Sequence, residues 1–181
     1  MRFTEARLPG VWRIGLEKRE DSRGFFARVF CEQEFAAHGL ITWYPQCNLS
    51  YNEKRGTLRG LHFQRPPKPE VKVVRCLRGA VYDVLLDLRP DSPMYLEHEA
   101  FELTSDNREA LYVPEGIAHG FQTLTDDAEM FYQMSEFYTP GLNGGVRWND
   151  PAFHIEWPLE NPILSEKDQA YPDFSISPWT P

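Results

Sequence analysis

A chain of 181 residues with 41% hydrophobic side chains can bury a substantial core and is about the size of one ordinary domain. Its formal charge of -8 and pI near 5.1 argue against nucleic acid as a partner, and no basic run is present to track a phosphate backbone, although a few local arginines could still hold a compact anion. The opening M-R-F-T-E-A-R-L-P-G lacks an apolar signal core, and no stretch nears the ~18 apolar residues of a membrane span. The expectation is a soluble, cytoplasmic protein, without a membrane partner, forming one domain over residues 1–181.

The first clear element signal is F-C-E-Q-E-F-A-A-H-G at 30–39, a short helix with Phe30, Glu34 and Ala37 on one side and Gly39 as its stop. R-G-L-H-F-Q at 59–64 then begins a region that reads as β-sheet, with extended runs near 71–77, 80–87, 95–103, 110–113, 129–137 and 146–148. Turn signals separate them: R-G, R-P-D-S-P, T-S-D-N, P-E-G, T-D-D and T-P-G-L-N-G-G. Many short strands without intervening helices predict an all-β jelly roll or related barrel and exclude a doubly wound α/β sheet. The last twenty residues hold Pro162, Pro172, Pro178 and Pro181 and are expected to run irregularly over the body. Trp148, Trp157 and Trp179 enrich the C-terminal third in aromatics, which suits a core, a dimer contact or a stacking surface.

Cys31, Cys47 and Cys76 form no C-x-x-C unit and read as small buried or half-buried side chains rather than a disulfide framework. Cys76 lies in a strand pattern with no histidine beside it in sequence, so a core role outweighs a nucleophilic one.

Candidate chemistry comes from parity along the strands. In V-K-V-V-R-C-L, Lys72 shares a face with Val74 and Cys76, where a lysine needs an anionic partner or a task. His62 is a potential base nearby, although a single imidazole also reads as a satisfied core residue. In P-E-G-I-A-H-G-F, glycines at 116 and 120 flank His119 in what reads as a turn between strands, where the ring is either presented for chemistry or bonded to the chain. Tyr132 falls between Met130 and Met134 on one strand face, so its hydroxyl points inward as a structural bond or a proton donor.

Together these residues carry a resemblance. R-G-F-F at 23–26, Q-C-N-L-S at 46–50, L-R-G-L-H-F-Q at 58–64, Lys72, P-E-G-I-A-H-G-F at 114–121, Tyr132, Tyr138, R-W-N-D-P at 147–151 and L-S-E-K-D at 164–168 resemble the dTDP-4-dehydrorhamnose 3,5-epimerase family from about Val11 to Pro172. The resemblance implies a double-stranded β-helix, the cupin jelly roll, with short peripheral helices, working as a homodimer without metal or other cofactor. It implies His62 as base, Asp168 as the carboxylate that orients it, Lys72 and His119 beside the C4 oxygen, and Tyr132 as the acid on the opposite face. For the nucleotide-diphosphate sugar it implies Arg23 and Arg59 on the diphosphate and Gln46 and Asn48 on the nucleotide or phosphate, with Tyr138 and Lys167 as further binding residues.

The chemistry of the residue types agrees. A proton α to a ketone leaves as charge spreads to oxygen, a cation stabilises that charge, and inversion needs a separate donor on the other face. No G-x-G-x-x-G is present to hold a dinucleotide. The five histidines include no H-x-H pair, which disfavours a metal-dependent cupin. A non-catalytic sugar-nucleotide binder would have no need of His62, Lys72, Tyr132 and Asp168 together.

Four residues at three places depart from the family pattern. Arg28 and Asn143 stand where carboxylates are usual, and Glu70-Val71 replaces a glutamine-glycine pair before Lys72. A cation and an amide change hydrogen-bond direction and charge around a nucleotide, and Glu70-Val71 bears on the depth of the pocket beside Lys72. An epimerase acting at C3 or C5 alone, or on a CDP-linked or other carrier, is therefore the alternative to a 3,5-epimerase.

Overall fold

Residues 1–175 are described in a computed structural model, where short β-prone runs form thirteen strands and two short helices. The strands are β1 (Arg2–Glu5), β2 (Trp12–Gly15), β3 (Arg19–Asp21), β4 (Gly24–Phe26), β5 (Gln46–Asn52), β6 (Leu58–Gln64) and β7 (Lys72–Arg78). They continue as β8 (Ala80–Asp87), β9 (His98–Thr104), β10 (Ala110–Val113), β11 (Ile117–Thr123), β12 (Ala128–Met134) and β13 (Asn143–Gly145). Helix α1 is Glu32–Ala37 and α2 is Glu166–Gln169. Among the described residues no helix is long and apolar enough to cross a membrane.

Six strands pair in the order β1-β2-β10-β7-β12-β5, five in the order β13-β6-β11-β8-β9, and β3-β4 forms a separate hairpin. The larger sheets face each other across one core, in which Val74, Cys76 and Met130 meet Val81, Leu85 and Phe121. This is the all-β cupin jelly roll with short helices that the sequence and the resemblance led us to expect.

The outer faces are covered as well. Leu61, Phe63, Val84 and Ala118 pack under Val146 and Phe153, while Ile14, Val73 and Tyr112 pack under Phe35 and Leu40. Central strands are consequently buried on both sides, and their sequences lose the alternation of a half-exposed strand. All seven residues of β11 are buried.

That double burial explains the main correction. The segment around His119 reads as a turn from its glycines, yet the turn is confined to Glu115 and Gly116, the latter with φ +81°, and His119 lies within β11. The expected strand at 146–148 is displaced to β13, whose N-G-G had been read as turn and which pairs with β6. The helix is trimmed to α1 and buries Phe35 rather than a Phe30, Glu34 and Ala37 side. Cys31 is half-buried and Cys76 buried, but Cys47 is exposed on β5. Pro178, Trp179 and Pro181 lie outside the described residues.

Gly120 serves a close approach between strands. A Cβ on Gly60, whose φ is +125°, would stand 2.5 Å from the Gly120 Cα and 2.9 Å from the His119 carbonyl oxygen. With both side chains absent, β6 lies against β11 and His62 pairs in register with His119. The substitution Gly60→Ala is expected to cost about 2–4 kcal/mol, because its clash is with backbone and its φ is unfavourable. Urea denaturation of the variant, with the wild-type m-value retained, checks this.

Candidate active site

The apolar core does not fill the space between the sheets to one end, and a cavity of ≈ 340 Å³ opens there. Arg59 and His62 of β6 and His119 and Phe121 of β11 line it from the five-stranded sheet. Asn48 and Ser50 of β5, Lys72 of β7, and Tyr132 and Met134 of β12 line it from the six-stranded sheet. Ser165, Lys167 and Asp168 close it from α2 and its cap. Parity does the aiming: Lys72 continues the inward face of Val74 and Cys76, and Tyr132 that of Met130.

His62 and Asp168 form the tightest polar contact in the cavity, with Nε2 2.6 Å from Oδ1. The histidine side chain is 38% exposed and the carboxylate 5%. Ser165 caps α2 by accepting the Asp168 N–H at 3.1 Å, which fixes the turn that delivers the carboxylate. Burial opposes ionisation of Asp168, but the hydrogen bond and charge of His62, with the Gly60 N–H and the Ser165 contact, outweigh it and hold the carboxyl below its ordinary value. With Nε2–H donating to Asp168, His62 keeps the lone pair of Nδ1 for accepting a proton.

A second histidine–carboxylate pair stands deeper. His119 Nε2 is 2.8 Å from Asp83 Oδ2, and both side chains are buried. The His119 ring meets that of Tyr132 edge-on at 6.1 Å. Burial pushes the Tyr132 hydroxyl above its ordinary value; the Ser50 hydroxyl at 3.5 Å pulls it back, Asp83 raises it further and Arg59 lowers it. Its net state is a protonated phenol on the sheet opposite His62.

Lys72 has the anionic partner that its inward position called for. Its ammonium is ion-paired with Glu70, Nζ standing 3.1 Å from Oε1, donates to the His62 carbonyl at 3.2 Å, and lines the cavity. Arg59 is braced by Asn52 Oδ1 at 2.7 Å and the Tyr51 carbonyl at 3.3 Å. Such an arrangement can take a proton from one side of a bound molecule, stabilise negative charge on an oxygen and return a proton from the other side.

The structure thus brings His62, Lys72, His119, Tyr132 and Asp168 to one cavity, with Asn48, Arg59 and Lys167 among its walls. Gln46 stands outside that lining, its amide donating to Asn48 Oδ1 at 3.4 Å and accepting the Tyr138 N–H at 3.1 Å. Tyr138 is exposed, with its hydroxyl 3.5 Å from Asn143 Oδ1. Arg23 is exposed at the β3–β4 turn, paired with Asp21, and does not reach the cavity of its own chain. Arg28 is likewise remote from it and pairs with Glu34 at 2.8 Å.

Sequence reasoning missed Asp83, Ser50 and Ser165. Asp83 shares its parity with Val81 and Leu85 on β8, so the argument applied to Lys72 would have found it. Cys76 fits the core role: burial raises its thiol to about 11. Among the described residues no group of three or more His, Cys, Asp or Glu side chains converges as a metal site.

A family model described as dTDP-4-dehydrorhamnose 3,5-epimerase matches residues 5–175. A protein of that description from Methanothermobacter thermautotrophicus is 41% identical over 180 residues, covering 98% of this chain and 96% of that one. A dTDP-4-dehydrorhamnose 3-epimerase from Streptomyces niveus is 42% identical, covering 93% and 82%. The crystal structure of dTDP-4-dehydrorhamnose 3,5-epimerase from Bacillus anthracis, with TDP and PPi bound, superposes with a TM-score of 0.93 at 37% identity, covering 96% and 99%.

The electrostatics of Asp168 have a consequence for stability. Because its folded value is depressed, the stability it contributes is complete above the unfolded value, about 4, and is lost as pH falls through the lower folded value. Asp168→Asn is therefore expected to flatten the acid side of the stability profile below about pH 4. Melting temperatures of both proteins between neutral and acid pH test this, and parallel curves would contradict it.

Proposed function

Because the chain belongs to the dTDP-4-dehydrorhamnose 3,5-epimerase family and is an enzyme, we propose that it epimerises dTDP-4-dehydro-6-deoxyglucose at C3 and C5 to dTDP-4-dehydrorhamnose. The observation that carries this reading is a carboxylate-held imidazole on one sheet and a protonated phenol on the other, with Lys72 and His119 in the same cavity.

His62 Nδ1 takes the proton from the carbon beside the ketone, and the electron pair of the broken C–H bond moves onto the C4 oxygen. Lys72 and His119 hydrogen-bond that enolate oxygen, and Asp168 stabilises the imidazolium. The enolate then collapses, and its carbon takes the Tyr132 proton on the opposite face, leaving a phenolate. Transfer of a proton from imidazolium to phenolate through water resets the pair. The sugar arrives oxidised at C4, so no net electron transfer occurs. Arg59 suits the diphosphate through its fixed, planar donor array, with Asn48 and Lys167 beside it. The TDP held by the Bacillus anthracis structure supports thymidine as the carrier.

A second reading, epimerisation at C3 alone, is favoured by the Streptomyces niveus 3-epimerase, which matches this chain at 42% identity. Proton NMR in deuterated water separates the two, since exchange at both C3 and C5 is expected of a 3,5-epimerase and exchange at C3 alone of the second reading. Exchange at neither carbon would overturn both. In the same assay Tyr132→Phe should retain exchange at the carbon facing His62 while losing net inversion by about 100-fold. Inversion at the wild-type rate would remove Tyr132 from its role.

The proposed assembly is a homodimer. Phe25, Phe26 and Val29 are exposed around the hairpin that carries Arg23. Seating this surface on a second copy would cover them and offer Arg23 to the partner's cavity, since it does not serve its own. The expected solution mass is twice the 21.1 kDa of the chain, reduced to one chain by Phe26→Asp. A monomeric wild type would contradict this assembly.

A further inference from the structure

We propose that Glu70 is a positioning residue of this site: its carboxylate, set behind the cavity wall, holds the Lys72 ammonium by ion pairing so that it stands at one place for the substrate's C4 oxygen. The inference deepens the epimerase reading and rests on it.

Glu70 precedes β7 and Lys72 opens it, so in extended chain their side chains leave on the same side. Their ion pair spans 3.1 Å, with the side chains only 8% and 10% exposed. Lys72 lines the cavity and Glu70 does not. Lys68, the neighbouring ammonium in sequence, is engaged elsewhere, 3.7 Å from Glu136.

An ammonium carries three N–H donors. For Lys72, one is donated to the His62 carbonyl at 3.2 Å, while the charge of Glu70, 3.1 Å from Nζ, holds the ammonium from behind. Donor capacity is thereby left for the cavity that Lys72 lines. The carbonyl belongs to the proposed base itself, so the tether ties the position of the cation to the position of the imidazole. Without Glu70, a four-carbon stem anchored only by a carbonyl regains rotamers, and its charge no longer stands at one place when the enolate forms. A carboxylate this near subtracts from the field of the lysine. A site needing charge alone would omit it, whereas a site needing direction gains from it.

The test is a double-mutant cycle on solvent-deuterium incorporation into dTDP-4-dehydro-6-deoxyglucose, with melting temperatures taken in parallel. Glu70→Ala is expected to lower kcat about tenfold while KM stays within about twofold, and to change nothing further when Lys72 is already Met. Glu70→Asp, which restores the charge, should recover part of kcat. Wild-type kcat in Glu70→Ala, an equal loss with and without Lys72, or no recovery by Asp would overturn the proposal. Failure of the wild type to exchange would instead overturn the epimerase reading, and this inference with it.

Discussion

Strands β6 and β11 approach so closely at Gly60 and Gly120 that neither position has room for a side chain, and the candidate catalytic residues are arranged around that contact. It places His62 in register with His119. The Gly60 N–H also points to Asp168 Oδ2, at 3.5 Å, so the same residue helps seat the carboxylate that holds His62. From there the dependence runs outward. Asp168 needs the Ser165 cap, and the isolated bridge of Thr57 to Ile163 attaches the C-terminal segment to the sheet just before it.

The carboxylates at and behind this cavity are each paired. Asp168 has His62, Asp83 has His119 and Glu70 has Lys72. Pairing is what makes such groups tolerable away from water, but it gives little net stability over an apolar core of the same shape. The fold does not need these polar residues for cohesion, since thirteen buried side chains form the inter-sheet core beside them. Their cost is understandable only through chemistry. Asp83 shows it most clearly, because its Oδ1 has no hydrogen-bond partner among the described residues.

Parity in the sequence made Lys72 and Tyr132 legible because each interrupts an apolar face with a polar group. It failed for His119, since β11 is covered on both sides and has no exposed face to alternate with, which left its glycines as the louder signal. Strands β1, β3, β4 and β5 escaped notice for the opposite reason: most of their positions are exposed, so burial imprints little pattern on them. Helix α2 is four residues long, too short for a helical period. Asp168 stands 106 residues from His62, and only the family resemblance joined them in advance.

The difference between the two histidines argues for their division of labour in the proposed reaction. A base must shed the proton it collects before the next turnover, and His62, 38% exposed, has water at hand to take it. His119 is buried against Asp83 and Tyr132, where a collected proton would have no direct route out. Such a ring is better used as a fixed donor to the enolate oxygen, a task that returns it unchanged after each cycle. Tyr132 lies on the buried side too and must regain its proton after donating, with Ser50 the hydroxyl nearest to it at 3.5 Å. In the proposed reaction the site is reset when the imidazolium proton reaches the Tyr132 phenolate through water, once for each carbon that is inverted.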